Sequence, residues 1–159
     1  MAYRTIRRLR GFDYAGIHRY FLTWCTHARE RLFEDADVVE SVVGQILRTA
    51  SSEHFSILAY CVMPDHVHLI VEGGDERADL RRFVQHAKQA TGYAYRRRTS
   101  RRLWQRRYYE RVIRDDEGTR AYVRYLLGNP VRAGLARVPR DYPFVGSGVW
   151  TIDELLAHG

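Results

Sequence analysis

Apolar and polar positions along the chain follow two rhythms. Residues 18–26, HRYFLTWCT, are rich in aromatic and β-branched types and predict a strand. From Ala36 to about Ser52 the apolar residues Val38, Val39, Val42, Val43, Ile46 and Leu47 recur at helical spacing. Residues 55–63 and 66–72 predict two further strands. Met63-Pro64-Asp65 turns the chain between them, since proline cannot continue a central strand. A helix is expected over about 78–98, with Leu80, Phe83, Val84, Ala87 and Ala90 as its apolar face. Residues 108–113 predict a fourth strand. A last helix runs from about Glu117 to Leu127 and stops before Asn129-Pro130, because a residue preceding proline is pushed out of the helical region. The order β-α-β-β-α-β, followed by a helix, predicts an α+β fold. In it a ferredoxin-like antiparallel sheet carries helices packed on it, and the added helix bears a tyrosine.

Length sharpens this picture only slightly. At 159 residues one domain is expected, with a basic N-terminal arm over 1–17, a core over 18–138 and an extension over 139–159. Hydrophobic residues at 45% and aromatics at 13% exclude a disordered chain. No apolar run approaches the roughly 18–20 residues of a membrane span. MAYRTIRRLR leads into no apolar stretch of the kind a secretory signal needs. Two cysteines, Cys25 and Cys61, fit a reduced protein, so a cytoplasmic location with no membrane partner is expected.

Charge changes the picture more. The net charge is +7, and of 26 basic residues all but Lys88 are Arg. The arginine fork grips phosphate bidentately, which makes nucleic acid the first partner to consider; a GC-rich genome would also spell basic residues as Arg. Position favours the first explanation. Arg4, Arg7, Arg8 and Arg10 crowd the N-terminus, and RRRTSRRLWQRR (96–107) holds Arg96, Arg97, Arg98, Arg101, Arg102, Arg106 and Arg107 around Trp104. Such segregation marks a phosphate-contacting footprint rather than a merely solvated surface.

Two candidate chemistries stand out. His66 and His68 alternate with Val67 on a predicted strand and so share one face, close enough to bind one metal ion. Imidazole suits Zn, Mn, Fe, Co or Ni, and a third ligand must come from elsewhere. Without a metal they would be a histidine pair on a half-exposed strand. On the last helix Tyr125 and Asn129 lie four apart, on one face if the helix persists that far. A phenol can act as a nucleophile, and an Asn amide oxygen can reach a bound ion. Tyr122 competes for the same role, and either ring can instead simply pack the helix on the sheet.

The run YCVMPDHVHLIVE (60–72) resembles the motif of HUH-type single-tyrosine transposases, most strongly the branch associated with repetitive extragenic palindromes, the REP-associated tyrosine transposases. FVQHAKQATGY (83–93), LWQRRYYERVIR (103–114) and YLLGNPVRAGL (125–135) fit the same pattern. The resemblance implies that His66 and His68 bind a divalent metal, Mg²⁺ or Mn²⁺, that Tyr125 is the nucleophile, and that Asn129 falls where the wider family supplies a third polar ligand. It implies a nicking and rejoining enzyme that acts on single-stranded or hairpin DNA through a 5′-phosphotyrosine, needs no nucleotide cofactor, and works as a monomer or homodimer. Arg4, Arg7, Arg8, Arg96, Arg97, Arg98, Arg101, Arg102, Arg106 and Arg107 would then hold the DNA backbone. Trp104 would stack on unpaired bases, as would Tyr108 and Tyr109, unless these aromatics pack in the core. Two other outcomes are a hairpin-binding module that has lost strand transfer, and a metal-dependent hydrolase that uses water and tolerates Tyr125→Phe.

Overall fold

The computed structural model describes residues 8–159; Arg4 and Arg7 lie outside them. Five strands, β1 (Arg19–Cys25), β2 (Phe55–Met63), β3 (His66–Gly73), β4 (Tyr109–Ile113) and β5 (Val145–Gly146), form one antiparallel sheet in the order β4-β1-β3-β2-β5. The helices are α1 (Ala36–Ser52), α2 (Leu80–Thr99), α3 (Asp116–Arg132) and α4 (Ile152–His158). The first four strands and α1 and α2 make up the expected ferredoxin-like arrangement.

Each of the three long helices begins where the sequence offers a cap. Asp35 accepts from the Asp37 and Val38 amides, Asp79 from Arg82 and Asp115 from Gly118. These carboxylates satisfy amides that have no partner within the helix. Ser100 ends α2 in the left-handed region at φ 60°.

Strand alternation splits the interior in two. Tyr20, Leu22 and Trp24 of β1 join Val67, Leu69 and Val71 of β3 under α1 and α2. Phe21 and Ile70 point the other way, to α3 and the C-terminal segment. A bulge between Ile57 and Ala59 shifts the register of β2, so Leu58 and Ala59 both serve the second core. His66 and His68 stand on this second face, which α3 covers.

Two expectations need correction. α3 does not stop before Asn129-Pro130; it continues through a buried Pro130 to Arg132. The proline removes one intrahelical donor, but Asn129 and Pro130 carbonyls still accept from the Ala133 and Leu135 amides, and burial of the ring holds the last turn in place. The second departure is in residues 139–159, which add a strand and a helix that the sequence pattern did not predict. Tyr142 donates from its hydroxyl to the Val62 carbonyl at 2.6 Å, β5 pairs with β2, and Leu155 of α4 is fully buried. Among the described residues no helix is long and apolar enough to cross a membrane.

Candidate active site

Three adjacent strands place the histidines. In the β1–β3 register Thr23 faces His68 and Cys25 faces His66; on the other side Cys61 and Met63 flank the same pair. The two imidazole centroids are 4.7 Å apart and nearly perpendicular. His68 is fully buried and His66 is 9% exposed.

Each ring is held through Nδ1. The Asp65 carboxylate lies 2.7 Å from His66 Nδ1 and can only accept, so the proton sits on Nδ1 and the lone pair on Nε2. Thr23 Oγ1 lies 2.8 Å from His68 Nδ1 and supports the same tautomer when it accepts. Asp65 is anchored in turn by Arg29 Nε at 2.9 Å, and Arg29 Nη1 donates to Cys25 Sγ at 2.8 Å. Burial pushes the Asp65 carboxyl up, but His66 and Arg29 together outweigh it and hold it below the usual range. Burial lowers both histidines, His68 strongly, and Asp65 only partly offsets this at His66. Neutral imidazoles are the form that binds a metal ion.

The helix that covers this face brings the tyrosines. Tyr125 meets His68 edge-on at 5.9 Å between ring centroids. Tyr122 stacks on Phe21 at 4.8 Å, and Phe21 stacks on His68 at 5.2 Å, so Tyr122 reaches the histidines through that phenyl ring. Burial raises the Tyr122 phenol. Arg132, about two helical turns further on, lies 4.6 Å over the Tyr125 ring and donates to the Tyr125 carbonyl at 2.6 Å. The seven-residue spacing on one helix was the readable signal for Arg132. For Asp65 it was adjacency to His66, and for Thr23 and Cys25 the alternation of β1.

The donor set fits a divalent ion in part. Two neutral imidazoles oriented by outer partners are ordinary first ligands. Among the described residues no group of three or more His, Cys, Asp or Glu is placed to hold a metal. A third protein donor would therefore be of another type. Asn129 lies one helical turn beyond Tyr125 on α3, half-buried, and among the described residues its buried amide nitrogen has no hydrogen-bond partner.

The expected DNA-contacting residues separate into groups. Arg8, Arg96, Arg102 and Arg106 line one cleft between α2 and the segment that follows it. Arg97, Arg98 and Arg107 are exposed outside it, and Arg101 is ion-paired to Glu30. Trp104 does not offer a face for stacking. It is 5% exposed, packs edge-on against Trp24 at 5.7 Å and donates its indole N–H to Thr91, which makes it a core residue.

The split βαβ sheet thus sets paired imidazoles on one strand against a phenol on the helix that covers them. The model of the family "Transposase IS200 like" matches residues 16–126, and the chain belongs to that family. A Haemophilus influenzae protein assigned as a REP-associated tyrosine transposase is 28% identical over 146 residues, 85% of this chain and 81% of the relative. The REP-associated tyrosine transposase of Escherichia coli is 31% identical over 117 residues, 68% of this chain and 67% of that one. The solved structure of a REP-associated tyrosine transposase bound to a REP hairpin superposes with a TM-score of 0.75 at 24% identity, covering 88% of this chain and 82% of the other. A Deinococcus radiodurans protein assigned as a transposase gives 0.55 at 23%, covering 78% and 97%. The chain is thus a transposase-family enzyme, in line with the resemblance carried by its motifs.

Proposed function

We propose that this chain cuts hairpin-bearing single-stranded DNA and rejoins it through a covalent bond between Tyr125 and a 5′-phosphate. The observation that carries the reading is the Tyr125 ring set against His68, with His66 beside it on the same sheet face. The relative solved with a REP hairpin supports DNA of that shape as substrate.

His66 and His68 would hold a divalent ion through Nε2, with Asn129 as the third protein donor. Bound there, the ion supplies Lewis acidity towards a phosphate oxygen. The chain's own groups do the rest. Asp65 and Thr23 fix the two rings. Tyr125 Oη attacks phosphorus in line, forming a Tyr–O–P bond as the P–O3′ bond breaks; the phenol proton passes to solvent water and the departing 3′-oxygen takes one from it. Arg132, over the phenol ring, favours the negative charge that develops on Oη. Attack by another 3′-hydroxyl reverses the step and completes strand transfer. The phosphodiester energy stays in the tyrosine linkage, so no nucleotide is consumed.

Incubation with labelled hairpin DNA and Mn²⁺, followed by a denaturing gel, tests this. A protein–DNA adduct should form, vanish in Tyr125→Phe and persist in Tyr122→Phe. Nicking that survives Tyr125→Phe means that water, not tyrosine, is the nucleophile. Binding without any adduct leaves only a hairpin-binding module.

A further inference from the structure

We propose that the cleft between α2 and residues 100–108 is a second nucleic-acid site that takes unpaired DNA flanking the cleavage point, on the face of the sheet opposite the histidines. The proposal rests on the reading that this chain acts on single-stranded DNA.

The cleft has a volume of about 670 Å³, within the range of sites that hold a small ligand. Six cations line it: Arg8, Arg81, Lys88, Arg96, Arg102 and Arg106; no described Asp or Glu does. Arg8 is shared with Glu110 at 3.9 Å. Among the described residues the other five have no carboxylate partner, whereas Arg19, Arg29, Arg82, Arg101 and Arg140 are all ion-paired. The uncompensated charge calls for a polyanion.

The floor and walls specify which polyanion. The buried Val84, Leu103 and Trp104 close the bottom of the cleft with the half-buried Tyr108, while Gln85, Gln89 and Gln105 along its walls add amides that can bond base edges. Tyr93 at the rim is 64% exposed and carries the Arg97 guanidinium 5.9 Å from its ring centroid, an exposed cation–aromatic pair that a base can join. A duplex presents phosphates on a convex surface and keeps its bases inside. An unpaired strand can bring its bases to the glutamine amides and the Tyr93 ring while its phosphates meet the cations of the rim.

The cleft is also joined to the histidines. The Gln105 backbone amide donates to the Cys25 carbonyl at 2.9 Å, that of His27 donates to Leu103, and Thr26 bridges Trp104. Cys25 is the register partner of His66. A strand leaving the cleft over this end of the sheet therefore arrives at His66.

The test measures anisotropy of fluorescein-labelled hairpin DNA, with and without an unpaired thymidine flank, on the full chain and on Arg81→Ala/Tyr93→Ala. Both side chains are exposed, and a circular dichroism melt checks the fold. The flank should tighten binding to the unsubstituted chain about ten-fold, the size expected for one stacked base. The double variant should lose that gain, and its log–log salt slope should flatten by about 0.7 for each phosphate it no longer neutralises. A 4-thiothymidine placed in the flank should crosslink to α2. A gain that persists in the variant, equal binding of both probes, or crosslinks confined to α3 overturn the proposal. If the Tyr125 adduct still forms in those cases, only the cleft assignment falls. If the unsubstituted chain neither binds hairpin nor forms an adduct, the reading of function falls with it.

Discussion

Asp65 shows how much one side chain controls at this site. Its carboxylate fixes the His66 tautomer while being held by Arg29, whose backbone is left-handed at φ 56°. Asp65→Asn replaces an obligate acceptor with an amide that can turn its donor towards Nδ1. Mn²⁺ affinity, followed by calorimetry or electron paramagnetic resonance, should fall by about 10- to 100-fold with the melting curve little changed. Lys88 gives a second test. Burial lowers its ammonium to about 8, and Nζ donates to the Gln105 carbonyl at 2.7 Å. The unfolded chain keeps its proton at the ordinary lysine value, so above pH 8 the unfolded state binds more protons and stability rises with pH. Burial raises the Cys61 thiol to about 12, which works in the opposite sense above about pH 9. Urea melts at pH 7.5 and 9 should therefore show a rise in stability that Lys88→Met abolishes.

At the scale of elements, legibility followed periodicity. α1 and β2 are legible because their apolar positions repeat cleanly, the hairpin because Pro64 cannot continue a strand, and the alternation in MPDHVH puts both histidines on one face. α3 was cut short by a rule about proline that tertiary packing overrode. β5 has two residues and no rhythm to read, but α4 carried an unused signal in the Thr151–Glu154 capping box. The cleft was hidden for a different reason. Arg81, Gln85, Lys88, Gln89, Tyr93 and Arg96 form a polar stripe on α2, yet a stripe of that kind is normally a solvated surface. What makes it a wall is the segment 100–108, folded back onto it by Trp104. For Trp104 the sequence leaves both readings open, because it cannot distinguish an aromatic that faces DNA from one that fills a core; the structure gives the second. Pro130 gives this scale its prediction. Pro130→Ala returns a donor to the Leu126 carbonyl, a backbone gain of up to about 3 kcal/mol, against the loss of a buried ring. The variant should be about 1–2 kcal/mol more stable and melt a few degrees higher by calorimetry.

For the molecule as a whole, the C-terminal segment is part of the fold. Tyr142, Val145 and Leu155 fill the second core beneath α3. Losing three such buried side chains removes roughly 5–9 kcal/mol, comparable to the entire stability of a domain. A chain cut after Val138 should have no cooperative melt in circular dichroism and form no Tyr125 adduct; a truncated chain that still melts sharply would make residues 139–159 dispensable. Both halves of the interior and both histidines also converge on one strand. Tyr20, Leu22 and Trp24 of β1 serve one core, Phe21 serves the other, and Thr23 and Cys25 face the imidazoles. A one-residue slip of β1 against β3 would exchange these roles at once. On the proposed mechanism, the residues that would cut DNA come together only when β1 holds its native register, so the same slip that unpacks the fold also takes the site apart.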